Sequence, residues 1–202
     1  MEITIYGETN LILDLVFDRD NNSVEVVKKA EQGKIDLRIP EVSFYEVYGA
    51  VHRTYKSRIT KANMIRALAN EIGRSAIYYE VAESLKNSAA KVEESAKQSL
   101  EVVDGILDRL QKIVITLEFD AEDHTKAFLF SLDGRYDLDL PDAAIYTSIL
   151  KDARDRENAK KIFFTKNSKD FDKPKIKEDL NKLGVELIFS SGECIKLIKQ
   201  GD

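Results

Sequence analysis

Five short apolar runs, separated by stretches with helical spacing, constrain this chain more than any other feature. They are Ile3–Tyr6, Ile35–Ile39, Ile113–Leu117, Ile162–Thr165 and Val185–Phe189. Strands that alternate with helices imply a mostly parallel sheet covered on both faces, hence an α/β fold. Gly7 ends the first run, and Leu11 to Val16 begins a helical face behind it. Ser23 is placed to cap a helix with Val24, Val27 and Ala30 on its apolar side, stopped by Gly33. Ile35, Leu37 and Ile39 alternate with Asp36 and Arg38 before Pro40, which predicts a strand with one buried face. Ser43 opens the next helix. Asp120 and Asp123 have the spacing of a capped helix start, Pro141 leads into a helix over 143–150, and residues 176–183 form a helix closed by Gly184.

The alternation is interrupted once. From Arg53 to Lys112 there is no proline, and Ile65, Leu68 and Ile72, then Leu100, Val103, Ile106, Leu107 and Leu110, recur at helical spacing. The chain therefore divides into one α/β core, residues 1–52 and 113–202, and a helical elaboration over 53–112. A length of 202 residues suits that single elaborated domain better than two independent ones. With 43% hydrophobic residues the chain can bury an ordinary core, which excludes wholesale disorder. The lone Cys194 excludes an internal disulfide framework and suits a reducing compartment. The opening Met-Glu-Ile-Thr lacks a basic start with an apolar core, and no apolar run approaches the ~20 residues of a membrane span. A cytoplasmic location without membrane contact is the expectation.

An open parallel sheet binds ligands at the carboxyl ends of its strands. The polar residues at these positions are mostly acidic: Glu8, Thr9 and Asn10 after the first run, Glu46 one turn into the following helix, Asn167 and Asp170 after the run ending at Thr165. Asp142 stands at the entrance of the helix before that run, with Asp137 and Asp139 upstream. Converging carboxylates repel one another unless protonated or neutralised by a cation. Oxygen donors suit Mg²⁺ or Mn²⁺, and no His or Cys cluster is present to suit zinc. Each acid also has a plainer explanation: Ser43 with Glu46 as a capping box, Asp142 as a favourable helix start, Asn167 with Asp170 as another cap.

Four motifs in order resemble the PIN-domain family of metal-dependent ribonucleases. Ile5-Tyr-Gly-Glu8-Thr-Asn10-Leu-Ile-Leu-Asp14 is similar to its opening strand and Asp-Thr-Asn turn, with Glu8 where the family usually has Asp. Ile39-Pro-Glu-Val-Ser-Phe-Tyr-Glu46-Val resembles the second motif, Leu138-Asp-Leu-Pro-Asp142-Ala-Ala-Ile the third, and Phe163-Phe-Thr-Lys-Asn167-Ser-Lys-Asp170-Phe the fourth. The resemblance implies a three-layer sandwich around a central parallel sheet, one or two Mg²⁺ or Mn²⁺ ions, and hydrolysis of RNA. Glu8, Glu46 and Asp142 carry over as metal ligands. Asn167 takes the fourth acidic position as an amide, and Asp170 supplies a carboxylate nearby. Asn10 would orient Glu8 or a metal-bound water, and Thr165 would support the site or contact phosphate, with Lys166 beside it. A longer Glu8 and an uncharged Asn167 imply a weakened nuclease, with a non-catalytic module that binds RNA or protein as the alternative.

The net charge of −5 offers no general attraction for nucleic acid. Between Arg53 and Arg74, however, six basic residues face the single acid Glu71. They read either as a solvated helix face or as a phosphate grip built on Arg53, Lys56 and Arg58, with Tyr55 as a stacking surface. The apolar stripes of this region call for a cover: self-packing as a hairpin first, then a homodimer contact or a protein partner such as an antitoxin. His52 and His124 have no companion at metal-ligand spacing and receive no role.

Overall fold

The computed structural model describes residues 3–156 and 159–200. Strands β1 (Ile3–Tyr6), β2 (Asp36–Pro40), β3 (Ile115–Leu117), β4 (Lys160–Phe164) and β5 (Val185–Ile188) form one sheet in the order β3-β2-β1-β4-β5. Every pairing is parallel. The chain builds outward from β1 to β3 on one side, then returns to the other side of β1 for β4 and β5. The strand order therefore reverses between β1 and β4, where open α/β sheets form their ligand crevice. In register, Ile5 lies beside Leu37 and Ile162, and Tyr6 beside Arg38 and Phe163.

Helices cover both faces, which makes a three-layer α/β sandwich. On one face α5 (Ala121–Leu132), α6 (Leu140–Arg154) and α8 (Pro174–Lys182) share a core with Tyr6, Leu117, Phe163 and Val185. On the other, α1 (Thr9–Val16) and α9 (Ser191–Lys199) flank α2 (Asn21–Glu31). Helix α6 is buried on nearly every side from Ala143 to Leu150. Two of its buried hydroxyls are satisfied within the helix: Thr147 Oγ1 and Ser148 Oγ donate to the carbonyls of Ala143 and Ala144 at 2.7 and 3.1 Å.

Several local expectations give way to tertiary contacts. Strand β2 does not keep a wet face: Arg38 is 6% exposed, and it pairs with Asp36 at 2.9 Å and Asp152 at 2.7 Å. A buried guanidinium is tolerable only with such partners. Ser23 is not a cap. Asp20 caps α2 through the backbone N–H of Asn22, while Ser23 is buried inside the helix and donates to Asp14 Oδ2 at 2.6 Å. Ser43 likewise sits inside α3 (Glu41–Ile72), its buried hydroxyl without a hydrogen-bond partner among the described residues, so no Ser43–Glu46 capping box exists. The Asp120–Asp123 box does form, in both directions. Asn167 precedes the single turn α7 (Ser168–Phe171) but makes no side-chain cap bond. Gly33 and Gly184, with φ of +67° and +66°, follow α2 and α8 in the left-handed conformation glycine adopts without strain. Helix α9 follows β5 without having been expected; Ser190 accepts from Glu193 N at its start, and burial pushes the Cys194 thiol up to about 12.

The chain resolves into two compact units, residues 1–47 with 106–202, and residues 48–105. The second holds the greater part of α3 and of α4 (Tyr79–Gln111), joined through a 3₁₀ turn at Ala76–Tyr78. Within it the helices run antiparallel, as Tyr48 OH to Asp104 (2.9 Å), Arg58 to Ser95 O (3.0 Å) and the Arg66–Glu93 ion pair show. Ala62 and Ala69 are fully buried, as are Ala82, Ala89 and Ala96, each seven residues apart along its helix. A heptad of alanines lets two helices approach closely. The expected stripe holds for Val103, Leu107 and Leu110, which are buried, but not for Leu68, which is 49% exposed. At the turn, a Cβ on Gly73 would meet Ala82 Cβ at 3.1 Å and the Ala69 carbonyl at 2.9 Å, so the residue there has to be small.

Ala89→Leu should overpack this seam and lower stability by about 1–3 kcal/mol, whereas Leu68→Gln should stay within about 0.5 kcal/mol. Urea unfolding followed by circular dichroism measures both, and an unchanged midpoint for Ala89→Leu would refute the close-packed seam.

Candidate active site

Glu8 follows β1 by two residues and is 3% exposed. It caps α1, Oε2 accepting from Asn10 N at 2.8 Å and from Asn10 Nδ2 at 3.4 Å. Its Oε1 accepts from Thr165 Oγ1 at 3.0 Å, one residue beyond β4. Thr165 Oγ1 in turn accepts from Asn167 N at 2.9 Å. The Asn167 amide reaches both oxygens of Asp142, at 3.5 and 3.4 Å. On the β2 side, Thr9 Oγ1 donates to Glu46 Oε2 at 2.5 Å. The structure therefore draws Glu8, Asn10, Glu46, Asp142, Thr165 and Asn167 together at the point where the strand order reverses.

The electrostatics follow from that convergence. Burial pushes the Glu8 carboxyl up despite the hydrogen bonds from Asn10 and Thr165, and the charge of Glu46 adds to the effect. Burial, then the like charges of Asp139, Asp170, Glu46 and Glu8, push Asp142 up to about 7. Asp170 thus belongs to the same negative field. Asp142 is also fixed from behind: Asp139 caps α6 by accepting from Asp142 N at 3.1 Å. This cap carries the familiar Asp-x-x-Asp spacing, a signal that was available in the sequence.

Other sequence-derived candidates are engaged in other contacts or belong to the second unit. Lys166 follows Thr165, but its ammonium lies 2.5 Å from both Asp14 and Asp20. Burial by itself would raise the Asp20 carboxyl; the hydrogen bonds from Lys166, Ser191 and Asn22 prevail and hold it at about 2. Arg53, Lys56 and Arg58 belong to the unit of residues 48–105, where Arg58 braces the hairpin against Ser95 and Ser99. A feature unassigned from sequence borders the acids: an apolar cleft of about 420 Å³ lined by Tyr45, Glu46, Phe119, His124 and Pro141 among others. The signal that could have pointed to it is Tyr45, directly before Glu46; Phe119 and His124 stand outside the acidic motifs.

The model of the PIN domain matches residues 5–171. The chain belongs to the PIN-domain family. Neither the curated proteins nor the solved structures give a match. PIN domains are in general metal-dependent nucleases, so a hydrolase of that type, using divalent ions, is the activity the family carries. The donors here fit such an ion by chemistry, since they offer carboxylate and amide oxygen without thiolate or imidazole. By position they are not closed around one point: among the described residues no three His, Cys, Asp or Glu side chains are grouped to hold a metal. No helix of the described residues is long and apolar enough to cross a membrane.

Asp20→Asn keeps a good cap but removes the charge facing Lys166. A carboxylate with a depressed folded pKa stabilises above its unfolded value, near 4, and loses that contribution as pH falls towards about 2. The variant should therefore be less stable than the parent by about 1–2 kcal/mol at pH 7 and equal to it near pH 2. Denaturant midpoints at pH 7, 4 and 2 test this, and a gap that persists at pH 2 would contradict it.

Proposed function

We propose that this PIN domain is an endoribonuclease dependent on Mg²⁺ or Mn²⁺, hydrolysing RNA phosphodiester bonds at the carboxyl ends of β1 and β4. The observation that carries the reading is the hydrogen-bonded series from Glu8 through Thr165 and Asn167 to Asp142, with Glu46 held by Thr9. It gathers acids from three separate segments at the crevice of the sheet.

Glu8, Glu46 and Asp142, with Asp170 near them, would hold one or two divalent ions. Such ions lower the pKa of water and offset charge on a phosphodiester during in-line displacement. The chain's own residues prepare the site. Asn10 and Thr165 fix both oxygens of Glu8, and Thr9 fixes Glu46. Asn167, an amide where the family tends to carry an acid, contributes a donor to Asp142 instead of a further negative charge. RNA as substrate, a cytoplasmic setting and a toxin-type pairing with a protein antitoxin belong to this proposal on the general habit of the family.

One observation favours a second reading. Glu8 is buried with both oxygens already engaged, and the acids are not grouped around a point. A module that binds RNA or protein without cutting would have that arrangement.

Labelled single-stranded and hairpin RNAs, incubated with Mn²⁺, Mg²⁺ or EDTA, separate the two. The nuclease reading expects metal-dependent cutting that Asp142→Asn lowers by about 10²-fold or more, the scale produced by misplacing reacting groups, with a melting temperature no lower than the parent's, since the substitution removes a disfavoured buried charge. Equal cutting by both proteins would overturn it. RNA retained without cleavage, and without need of divalent ions, would establish the binding module.

A further inference from the structure

The cleft beside the acids has the makings of a subsite. Its walls are Tyr45 and Glu41 on α3, Phe119 before α5 and His124 within it, and Leu140 and Pro141 at the start of α6. Glu46 lines it directly, and Asp142 is the residue after Pro141, so it opens onto the proposed hydrolytic site itself. Its volume, about 420 Å³, lies in the range of small-ligand pockets. Tyr45 is 68% exposed although aromatic, and His124 packs edge-on to Phe119 at 4.4 Å between centroids. Two aromatic faces and an imidazole thus border one space without filling it.

We propose that this cleft receives one unpaired nucleobase of the substrate strand, next to the phosphate that is cut. The proposal rests on the nuclease reading. Charge selects the occupant: Glu41 on the rim repels phosphate but can accept the exocyclic N–H groups of a base. Tyr45 OH already donates to Glu41 at 3.0 Å, which steadies the ring in the position of a stacking wall. A base in a duplex has both faces covered, so only an unstacked base can enter, and substrates with single-stranded character are preferred.

The test uses oligoribonucleotides with 2-aminopurine at successive positions around a cleavage site mapped with the wild-type protein. Full-length Asp142→Asn protein binds them in Mg²⁺ without cutting. One position adjacent to the scissile phosphate should lose fluorescence on binding. Tyr45→Ala should relieve that quenching and weaken binding about tenfold, within the scale of one base stacked on one aromatic ring. Tyr45→Phe should restore both. An abasic nucleotide at that position should weaken binding to the same extent and make Tyr45→Ala silent. Tyr45 is exposed, so its variants should retain the parent melting temperature. If RNA is bound and cut but no position is quenched, or a blunt duplex binds as tightly as a single strand with Tyr45→Ala unchanged, the base subsite is overturned while the nuclease stands. The cleft would then belong to some other occupant, such as an apolar side chain of a protein partner. If RNA is neither bound nor cut, both readings fall.

Discussion

A carboxylate buried at the end of the central strand is the constraint on which the rest of this structure turns. An ionised group without water has to be met by donors or become neutral. Glu8 is met by the first turn of α1 through Asn10 and by Thr165 beyond β4. These bonds require β1 and β4 to be neighbours in a fixed register, and the pairing of Tyr6 with Phe163 supplies it. They also require a helix to start directly after β1, which Gly7 permits: a Cβ there would lie 2.6 Å from Leu11 Cδ2. The reversal of strand order, the start of α1 and the position of Thr165 thus together bring this carboxyl its donors.

The same logic explains why the acids stay mutually repulsive. Lys166, which follows Thr165, is committed to Asp14 and Asp20, just as Lys151 is to Asp120 and Asp123 and Arg38 to Asp36 and Asp152. Each of those pairs holds elements of the sandwich together. None is given to Asp142, whose carboxyl is pushed up to about 7 by burial and then by its acidic neighbours. A cluster left this way is poised to take up positive charge from outside the chain, and that is the electrostatic condition of a divalent-ion nuclease.

Strands were legible because a parallel sheet buried on both faces demands continuous apolar runs, and Ile3–Tyr6 and Ile162–Phe164 supply them without ambiguity. The candidate acids were legible for a related reason, since residues directly after such strands lie at the carboxyl edge of the sheet, and Glu8 and Thr165 follow the two strands at which the order reverses. What could not be read were choices made by distant partners. Ser23 and Asp20 are equally good caps by composition; the bond from Ser23 to Asp14 decides between them. Arg38 looked solvent-facing because Asp152, which buries it, lies 114 residues away. In the helical region hydropathy found only part of the buried face: Val103, Leu107 and Leu110 are buried as expected, whereas Leu68 and Leu100 are exposed and alanines seven residues apart mark the rest of the seam. Helix α9 had a readable start in Ser190-Ser-Gly-Glu193, but no apolar strand beyond it to complete the alternation.

Glu8 and Asn167, the two departures from the usual PIN pattern, make sense as a pair. The Glu8 side chain spans from Asn10 at the start of α1 to Thr165 just beyond β4. Thr165 is then turned to accept from Asn167 N, which sets the Asn167 side chain against Asp142. An acid in place of Asn167 would bring a fifth like charge to a carboxyl already crowded by Asp139, Asp170, Glu46 and Glu8. The amide removes that repulsion and adds a donor. Lengthening one acid and neutralising another thus act on the same chain of hydrogen bonds, so restoring the family residue at one of the two positions alone should disturb the site more than it repairs it.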